Sequence, residues 1–454
     1  MRIVIVGTGK VGTTLAEQLS MEDHDIYVID QNQTTVDHLV NTLDIMGVCG
    51  NGASYHVLLE AEVQKADLLV ACTSHDEINL LCCLVAKKLG AQNTIARVRN
   101  PEYSDQLVFM RDELGLSMSI NPERAAASEL YKLLKFPSAL KIETFSNKRV
   151  EMAEIKLRED SVLDHVYLRD LHKTYKGRAL ICSVQRGNEV TIPGGNFMLK
   201  SGDRINVIAQ ADDMIDFVSS LGRTLPAARD VMLVGGGRIS FYLARMLTEN
   251  GARVKIIDID PKRCAELSRL LPHAMIICGD GTDQELLSEE GIDSMDAVVA
   301  LTGFDEENII LALYAQSATD AKIITKINRP TLASIAESTG LGSIISPRVL
   351  TANIIIRYVR SMQNSMGSNI ETLHRLVGGA VEALEFRVND TFPQADIPLM
   401  DLRLKPNILI ACISRNGRTI IPGGRDYISV GDRVIVVAAG EHFDDLADIL
   451  AEDI

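Results

Sequence analysis

The stretch Ile3-Val-Ile-Val-Gly-Thr-Gly-Lys-Val-Gly12 decides the fold of this chain, because a short apolar run ends directly in a glycine-rich turn. A similar stretch, Val231-Met-Leu-Val-Gly-Gly-Gly-Arg-Ile-Ser240, opens the second half of the sequence. The repeated unit therefore spans about half of the 454 residues, which is far longer than a solenoid repeat of roughly 20 to 50 residues. The pattern therefore predicts a duplicated two-domain module. Further matched positions are Gly50-Asn-Gly52 with Gly279-Asp-Gly281, Pro193-Gly-Gly195 with Pro422-Gly-Gly424, and Gly202-Asp-Arg204 with Gly431-Asp-Arg433.

The composition disfavours several classes of function. The 454 residues are enough for about three domains, with four well in range. An apolar content of 46% is ordinary for globular proteins and is enough for several packed cores. The formal net charge of −15 argues against nucleic acid, whose binding needs a concentrated basic surface, and against direct adsorption to anionic lipid. We therefore expect no nucleic-acid partner.

The N-terminus and the cysteines indicate a cytoplasmic protein. Met1-Arg2 leads directly into a short strand-like run, so no signal peptide is expected. The sequence has no stretch of about 18 uninterrupted apolar residues, so no membrane span is expected. The eight cysteines include no Cys-x-x-Cys pair. We interpret them as buried, reduced thiols and predict no metal site.

Alternating apolar and amphipathic stretches predict the fold class. In residues 1–121 the alternation is typical of a parallel sheet with helices on both faces. A small α+β domain follows, and the second half copies the first, so the chain is predicted to be α/β, with two Rossmann-like doubly wound parallel-sheet domains each followed by a small α+β domain. The predicted strands of the first half are 2–6, 25–29, 45–49, 67–71, 94–98, 118–120, 151–157, 179–185 and 204–209, and the predicted helices are 10–20, 34–43, 77–89, 122–134 and 212–221.

The duplication also sets the expected domain boundaries. A helix opening at Pro122 is expected to cross from the first Rossmann-like domain to a neighbour, and a helix opening at Pro347 repeats it. The polar residues 363–369 are expected to form a flexible linker. The chain is expected to end in a helix. The expected segments are the Rossmann-like domain 1–121, crossover helix 122–140, small domain 141–222, Rossmann-like domain 231–346, crossover helix and linker 347–369, and small domain 370–454.

The glycines after the first strand have the spacing of a dinucleotide-binding turn. Gly7 suits a tight turn, Gly9 lets a diphosphate approach the backbone, and Gly12 lets helix and strand pack closely. Because these glycines directly follow a predicted strand and open a predicted helix, the context supports the motif. The alternative is a Rossmann-like sheet that has no ligand.

Asp30 and the start of the first helix complete this predicted site. Backbone amides near Lys10 and Val11 would face the anion at the helix N-terminus. Asp30 ends the second strand about 20 residues further on, where a carboxylate accepts hydrogen bonds from ribose hydroxyls. Since its charge would repel a 2′-phosphate, NADP is disfavoured.

The second half carries a variant of the same motif. Gly235 and Gly237 are present, but Ser240 stands at the third glycine position. Serine is small enough for close packing to survive. Asp258 is retained, with Asp260 nearby. We therefore expect a second nucleotide site whose affinity or nucleotide preference differs from that of the first.

Polar residues at the ends of later strands are expected to line the same clefts. Thr73-Ser74 ends the fourth strand and Thr302 ends its counterpart, at the carboxyl edge where ligands bind in doubly wound folds. For Ser74 and Asp76 the alternative role is capping of the next helix.

Basic residues end the following strand. Arg97 and Arg99 could reach phosphate, and Lys326 is the corresponding base in the second half. For Arg99 a solvated surface position is an equal alternative.

The sequence shows little that would support catalysis. His75 adjoins Thr73-Ser74, but a dehydrogenase would need a proton donor together with a sizeable substrate domain. No carboxylate pair or histidine cluster occurs in the small domains, so no enzyme activity and no catalytic residue are predicted. The repeated Pro-Gly-Gly segments are interpreted as tight turns between strands. Two predicted nucleotide sites beside so little chemistry suggest sensing rather than turnover.

These features together resemble the family of tandem regulator of potassium conductance domains, called RCK or KTN. Its members include the cytosolic regulatory subunits of bacterial Trk-type potassium uptake systems. The most specific segments are Asp67-Leu-Leu-Val-Ala-Cys-Thr-Ser-His-Asp-Glu-Ile-Asn79 and Ala96-Arg-Val-Arg-Asn-Pro101. The resemblance covers essentially the whole chain.

The resemblance implies a cofactor, partners and site residues. It implies NAD(H) or ATP/ADP in the clefts, assembly into a homo-oligomer (dimer or tetramer), and a membrane-embedded potassium-translocating partner. The chain would then be peripheral on the inner face of the plasma membrane through that partner. The implied cofactor-binding residues are Gly7, Thr8, Gly9, Lys10, Val11, Gly12, Asp30, Thr73, Ser74 and Arg97 in the first half, and Gly235, Gly236, Gly237, Arg238, Ile239, Asp258 and Thr302 in the second.

Two alternative functions stay open from the sequence. One is a soluble NAD-dependent oxidoreductase, which would need a catalytic base and a substrate pocket. The other is a nucleotide-sensing regulator of a different transporter. The physiological nucleotide, the oligomeric state, the surface that meets the membrane subunit and a divalent ion between modules are also left open by the residues.

Overall fold

The sequence repeat is visible in how the chain divides. The computed structural model describes residues 1–451 except 23, 146–148, 176, 188, 222–226, 365–369, 378–379, 441–442 and 444. Two units are distinguished, one formed by Met1–Leu130 with Asp230–Val359 and the other by Tyr131–Arg229 with Arg360–Ile454. Each unit therefore combines corresponding parts of both repeats.

The first large domain is built on a six-stranded parallel sheet in the order β3-β2-β1-β4-β5-β6. β1 lies at its centre, and Ile3 to Val6 are almost completely buried because helices cover both faces of a parallel sheet. Its elements are β1 (Arg2–Val6), α1 (Lys10–Ser20), β2 (Asp25–Asp30), α2 (Gln33–Thr42), β3 (Met46–Cys49), α3 (Tyr55–Glu60), β4 (Leu68–Ala71), α4 (Asp76–Leu89), β5 (Asn93–Arg97), α5 (Pro101–Met110), β6 (Met118–Ile120) and α6 (Pro122–Lys135).

This strand order confirms the Rossmann-like fold and positions the site. The order reverses at β1, which pairs with β2 on one side and β4 on the other. The crevice outside the carboxyl ends of β1 and β4 is therefore the topological switch point at which ligands bind in such sheets. The helices α3 and α5 are not among the elements predicted from the sequence, since α3 has only six residues and α5 has no clear apolar periodicity. Asn100 caps α5 by accepting from the amide of Glu102, and Pro101 stands at its first position.

The first small domain is an antiparallel sheet in the order β10-β9-β11-β8-β7. β7 and β10 were not predicted, because β7 follows directly on the helix α6 and β10 has only three residues. The elements are β7 (Ala139–Phe145), β8 (Val150–Lys156), α7 (Leu171–Thr174), β9 (Ala179–Arg186), β10 (Glu189–Thr191), β11 (Arg204–Gln210) and α8 (Ala211–Ser220).

The second repeat reproduces both sheets. The parallel order β14-β13-β12-β15-β16-β17 and the antiparallel order β18-β19-β22-β20-β21 match those of the first repeat. The elements are β12 (Asp230–Val234), α9 (Arg238–Glu249), β13 (Arg253–Asp258), α10 (Pro261–Leu270), β14 (Ala274–Cys278), α11 (Gln284–Glu289), β15 (Ala297–Ala300), α12 (Asp305–Ala318), β16 (Lys322–Lys326), α13 (Pro330–Ser338), β17 (Ser343–Ile345), α14 (Pro347–Asn364), β18 (Ile370–Leu376), β19 (Val381–Arg387), β20 (Ile408–Arg415), β21 (Arg418–Ile420) and β22 (Arg433–Ala439).

The second half ends in a short helix, and part of its expected linker is not described. The helix expected near the C-terminus is present as a short 3-10 helix at Leu446–Ile449, which is the last element in the described part of the chain. Asp445 and Asp448 form a capping box around its start, which stabilises one tight turn rather than a longer helix. Residues 365–369 of the predicted linker lie outside the described residues. Among those that are described, no helix is both long and apolar enough to cross a bilayer.

The repeats also touch each other inside each unit. In the large-domain unit, the side-chain amide of Asn121 donates to the Tyr242 hydroxyl at 3.0 Å. In the small-domain unit, one apolar cluster takes residues from both antiparallel sheets. There the rings of Phe145 and His374 meet edge to face, with centroids 4.7 Å apart. The duplication therefore produces paired domains with shared packing.

Candidate nucleotide-binding clefts

The first glycine turn is closed against the protein at Gly7 and Gly12 and open at Gly9. Gly7 has φ +94°, and a β-carbon there would lie 2.8 Å from the Thr73 backbone nitrogen. A β-carbon on Gly12 would come within 1.9 Å of the Gly7 carbonyl oxygen. A β-carbon on Gly9 would meet no atom within 4 Å. Since the turn packs tightly on both sides, the free approach at Gly9 is where a ligand can reach the backbone.

The start of α1 offers backbone groups rather than side chains. The N-cap residue is Gly9, and no side chain caps the helix. The side chains of Thr8 and Val11 are buried, while that of Lys10 is exposed. The first amides of a helix have no partner within the helix, so they are available to an anion. Of the predicted contacts, Thr8 and Val11 therefore can act only through their backbone, whereas Lys10 also presents its ammonium group.

Asp30 is fixed by the turn that it faces. One oxygen of its carboxylate accepts from the Thr8 amide at 2.7 Å, and the other accepts from the Asn32 amide at 2.9 Å. Burial disfavours the ionised form, but these amide hydrogen bonds outweigh it and hold the pKa of Asp30 below its ordinary value. A carboxylate has about four acceptor positions, so the partly buried Asp30 keeps capacity for ribose hydroxyls.

Asn79 ties together the ends of β4 and β5. Its side-chain oxygen accepts from the Thr73 amide at 2.8 Å and from the Thr73 hydroxyl at 2.7 Å. Its side-chain nitrogen donates to the Arg97 carbonyl at 2.8 Å. Asn79 is fully buried. In the sequence, Asn79 stands out only as the last residue of the family-specific segment that begins at Asp67. Its place in the first turn of α4, directly after a strand end, is the signal that could have identified it.

Asp76 holds the loop that follows β5. Its carboxylate accepts from the amides of Arg99 and Asn100, both at 2.8 Å. The N-cap of α4 is His75, which makes no side-chain cap hydrogen bond. The capping roles considered for Ser74 and Asp76 are therefore wrong, because Asp76 turns toward the neighbouring loop and the Ser74 hydroxyl pairs with the His75 ring at 2.9 Å.

Arg97 and Arg99 both bind the loop after β4. The Arg97 guanidinium donates to the Thr73 carbonyl, and that of Arg99 donates to the Ser74 carbonyl at 2.6 Å. Burial lowers the pKa of Arg97. The Arg99 side chain is only about a quarter exposed, so Arg99 is not the solvated surface residue that was the alternative interpretation. The two guanidinium groups shape the rim of the cleft formed by Thr73 and Ser74.

The second glycine turn repeats the first with one change. Gly235 has φ +100°, and a β-carbon there would meet the Thr302 backbone nitrogen at 2.9 Å. Ser240, which takes the place of the third glycine, is fully buried, and its hydroxyl donates to the Gly235 carbonyl. The serine therefore fits between helix and turn and adds a hydrogen bond. α9 begins at Arg238 after the N-cap Gly237, again without a side-chain cap. The side chain of Ile239 is buried.

Asp258 occupies the position of Asp30. Its carboxylate accepts from the Gly236 amide at 2.5 Å and from the Asp260 amide at 2.9 Å. Asp260 itself caps α10 by accepting from the Lys262 amide. A side chain from α10 also reaches this turn, since Arg263 donates to the Gly236 carbonyl at 2.6 Å.

The strand-end clamp is also duplicated. Asn308 accepts from the Thr302 amide at 2.8 Å and donates to the Lys326 carbonyl at 3.0 Å. Asp305 accepts from the amides of Asn328 and Arg329, as Asp76 does in the first repeat. The Lys326 ammonium group donates to the Thr302 carbonyl, and burial lowers its pKa, with the nearby Lys10 adding to the effect.

Charged residues of one repeat lie close to the cleft of the other. Glu123, at the start of α6, has its pKa raised by burial, while Arg99, Arg238 and Arg97 act in the opposite direction. One of its carboxylate oxygens is buried without a hydrogen-bond partner among the described residues. Arg238 follows the second glycine turn, whereas Arg97 and Arg99 belong to the first repeat. Glu123 therefore lies near basic residues of both clefts. Glu123 was not predicted as a site residue, because only the tertiary structure brings the repeats together.

The structure thus gathers the predicted residues into two clefts with the same internal geometry. Within the described part of the chain, no group of three or more His, Cys, Asp or Glu side chains is arranged to hold a metal ion. The ring of the exposed His75 hydrogen-bonds to the hydroxyl of the neighbouring Ser74 at 2.9 Å.

Comparison with known proteins identifies the family. The model of the TrkA-N domain matches residues 3–122 and 231–347, and the model of the TrkA-C domain matches residues 152–222 and 383–451. The chain belongs to the TrkA family. A relative from Archaeoglobus fulgidus, the Trk system potassium uptake protein TrkA homolog, is 34% identical over 449 residues, covering 99% of this chain and 100% of the relative. The Trk system potassium uptake protein TrkA of Vibrio alginolyticus is 31% identical over 448 residues, covering 98% of this chain and 97% of that protein.

Solved structures share the fold of this TrkA-family chain. The GsuK RCK domain superposes with a TM-score of 0.63 at 19% identity, covering 97% of this chain and 92% of that one. The GsuK channel bound to NAD gives a TM-score of 0.62 at 18% identity, covering 97% of this chain and 77% of that one. The tandem RCK architecture inferred from the sequence is therefore confirmed.

Proposed function

We propose that the chain is the regulatory subunit of a potassium uptake system, which binds NAD(H), ATP or ADP in both clefts and controls a membrane-embedded potassium-translocating subunit. Relatives over nearly the full chain are named as Trk potassium uptake proteins, and none of the relatives reported above is named as an enzyme. The protein acts at the cytoplasmic face of the membrane through this partner.

The observation that carries the proposal is that the glycine turn and its strand-end carboxylate occur twice with the same hydrogen bonding. In each large domain, a carboxylate at the end of the second strand accepts from an amide of the glycine turn: Asp30 from Thr8, and Asp258 from Gly236. Each turn leads into a helix that has no side-chain cap: α1 begins at Lys10 and α9 begins at Arg238. Two nucleotide-binding turns of the same geometry in one chain suit a protein that senses whether nucleotide is bound.

The residues of each cleft fit an adenine nucleotide or dinucleotide. The amides at the starts of α1 and α9 would hold its phosphates, where the helix dipole favours negative charge. Asp30 and Asp258 would accept from ribose hydroxyls, and their charge would exclude a 2′-phosphate. The buried Asn79 and Asn308 keep the opposite wall of each cleft in place.

Regulation requires that the nucleotide bind two conformations of the assembly unequally. A ligand shifts an equilibrium only by its difference in affinity for the two states. A coupling of about 1 to 3 kcal/mol changes the population of an open gate by about 5- to 150-fold. The paired domains would form a homo-oligomeric ring, a dimer or tetramer, beneath the membrane subunit.

Binding can be tested on the purified full chain. Thermal shift with NAD, NADH, ATP, ADP and NADP should show stabilisation by the adenine nucleotides without a 2′-phosphate, since a ligand at 100 times its Kd adds about 2.7 kcal/mol. Titration calorimetry should show that Asp30→Asn and Asp258→Asn each remove one of two binding steps. Asp44→Asn, at an exposed position outside the clefts, is the matched control.

Regulation needs a second experiment. Cells that lack their Trk regulatory subunit, but keep the membrane subunit, should regain potassium uptake with the wild-type chain and not with Asp30→Asn,Asp258→Asn. A chain that binds none of these nucleotides would contradict the proposal. So would a double variant that restores uptake as well as the wild type does.

A further inference from the structure

Two cysteines of the second large domain lie together beside Asp258. β13 and β14 pair in parallel with Asp258 opposite Cys278. Cys264 projects from α10, and its sulfur lies 3.3 Å from the Asp258 carbonyl oxygen and 3.8 Å from the Ile277 carbonyl oxygen. Because Ile277 directly precedes Cys278 in β14, the Cys264 thiol lies against the strand end that carries Cys278. Cys278 is also among the neighbouring groups that raise the pKa of the Cys264 thiol.

The two thiols differ in how they meet solvent. Cys278 is exposed, whereas Cys264 is buried. Burial, together with the hydrogen bond involving Cys278, raises the pKa of Cys264 to about 11. Thiolates rather than thiols are the reactive species, so the buried Cys264 is a poor first nucleophile. The arrangement is that of an accessible attacking cysteine with a protected second cysteine behind it.

The first repeat lacks this pair and provides an internal comparison. Cys49 ends β3 opposite Asp30, as Cys278 ends β14 opposite Asp258, and it is also exposed. The position of Cys264 on the helix is taken in the first repeat by Val36, which is buried in α2. Cys49 therefore shares the strand-end setting of Cys278 but has no thiol on the adjacent helix.

The five cysteines other than Cys49, Cys264 and Cys278 are not expected to react with thiol reagents. All five are buried, and burial raises the pKa of each thiol, which makes them unreactive. These are Cys72, Cys82, Cys83, Cys182 and Cys412.

We propose that Cys264 and Cys278 form a vicinal dithiol site, which closes to a reversible disulfide by exchange with an oxidised low-molecular-weight disulfide and which chelates trivalent arsenicals. Cys278 attacks one sulfur of the small disulfide, the bond between its two sulfurs breaks, and one small thiolate leaves and takes up the proton from Cys278. Cys264 then gives up its proton and attacks the Cys278 sulfur, and the second small thiol leaves. The protein loses two electrons and two protons, and the small disulfide is reduced to two thiols.

The site flanks the ribose end of the second cleft. A disulfide would remove the Cys264 hydrogen bond to the Asp258 carbonyl and would tie α10 to the end of β14. If the proposed function holds, oxidation should weaken nucleotide binding in the second cleft and leave the first cleft unchanged. A thiol pair inside a reducing cytoplasm would act as a transient redox sensor rather than as a permanent crosslink.

The dithiol can be tested without any nucleotide. The purified full chain would be incubated with oxidised glutathione and then mapped by mass spectrometry. We expect a Cys264–Cys278 disulfide, a persistent glutathione adduct on Cys49, and no persistent adduct on Cys278. In Cys264→Ser, the adduct on Cys278 should persist as it does on Cys49. Phenylarsine oxide should bind the wild type at least about tenfold more tightly than it binds Cys278→Ser, with Cys49→Ser behaving as the wild type.

The outcomes separate this site from the proposed function. A persistent glutathione adduct on Cys278 of the wild type, or equal arsenical affinity of the wild type and Cys278→Ser, would overturn the dithiol. Calorimetry after oxidation tests the link to the second cleft, and unchanged nucleotide affinity there would overturn that link. A chain that forms the disulfide but binds no adenine nucleotide would instead contradict the proposed function.

Discussion

The side-chain oxygen of Asn79 accepts two hydrogen bonds from Thr73, one from its amide at 2.8 Å and one from its hydroxyl at 2.7 Å. The nitrogen of the same side chain donates to the Arg97 carbonyl. One buried amide therefore fixes the ends of two neighbouring strands on the wall of the first cleft. In the second repeat, Asn308 likewise accepts from the Thr302 amide and donates to the Lys326 carbonyl, whereas the Thr302 hydroxyl donates to the Phe304 carbonyl instead.

Asn79→Ala should destabilise the first large domain by about 2 to 3 kcal/mol, because it leaves buried backbone groups of β4 and β5 without a partner. Urea titration of the full chain would measure the loss. Asn308→Ala should have a similar effect through the second repeat. Asn250→Ala, which removes an exposed side-chain hydrogen bond, should change the free energy of unfolding by less than about 0.5 kcal/mol. Equal effects of Asn79→Ala and Asn250→Ala would contradict the clamp.

Exchanging glycine and serine at the third glycine position should destabilise each repeat, for a different reason in each. Gly12→Ser places a β-carbon where only 1.9 Å separates it from the Gly7 carbonyl oxygen, so α1 or the turn must shift at a cost of about 1 to 3 kcal/mol. Ser240→Gly removes a buried side chain that already fits, together with its hydrogen bond to Gly235, and should cost about 1 kcal/mol. Melting temperatures of the two variants would show the difference. A Gly12→Ser protein as stable as the wild type would mean that the turn is looser than the structure shows.

Asp30 should contribute a pH-dependent part of stability. Its folded-state pKa lies below its ordinary value, because amide hydrogen bonds outweigh burial. A lowered acid pKa stabilises the folded state above the unfolded pKa of about 3.9, and this contribution is lost as pH falls through the folded value. The difference in melting temperature between the wild type and Asp30→Asn should therefore be constant from about pH 5 to 8 and shrink below about pH 4. A difference that grows on acidification would show the opposite sign of linkage.

Lys322 should oppose stability at neutral pH. Burial lowers its pKa to about 7, so the folded state binds this proton more weakly than the unfolded state, in which the pKa is about 10.4. The cost is full below about pH 7 and disappears as pH rises toward about 10. Lys322→Met should therefore raise the melting temperature at pH 7 more than at pH 10. Lys262→Met, at an exposed position, is the control and should show no such pH dependence.

The pair formed by Glu143 and His374 should make the small-domain unit sensitive to acid. Burial opposes ionisation of Glu143, but Lys141 and His374, each 2.7 Å from its carboxylate, hold its pKa well below the usual range. This stabilisation is present above the unfolded pKa of about 4.3 and is lost as pH falls below it. The wild type should therefore lose more stability between pH 5 and 3 than Glu143→Gln does. The exposed Glu159→Gln is the control, and it should follow the wild type.

The parts of the fold that follow from local pattern could be predicted from the sequence. β1 and α1 occur at Arg2–Val6 and Lys10–Ser20 as expected, because a buried parallel strand is a continuous apolar run and a glycine turn marks the helix start. Short or weakly periodic elements such as α3 and β10 could not be predicted, because local propensity does not distinguish them from loops.

The candidate site divides in the same way. The glycines and the strand-end aspartates could be found from spacing alone, since the turn chemistry dictates them. Asn79 and Glu123 could not, because their significance depends on which strand ends and which repeat lie beside them. The role of Asp76 was misjudged for the same reason: its partners are amides of Arg99 and Asn100, and chain proximity to α4 suggested a cap instead.

By itself, the sequence determined the duplication, the two parallel sheets and the positions of both glycine turns, because these depend on periodicity and on residues without a β-carbon. Only the tertiary structure decided which side chains meet across the repeats, such as Asn121 with Tyr242 and Glu143 with His374. It also placed the Cys264 thiol of α10 against the strand end that carries Cys278. The physical reason is that such contacts join residues far apart in the chain, whose proximity is set by strand pairing and packing rather than by local pattern.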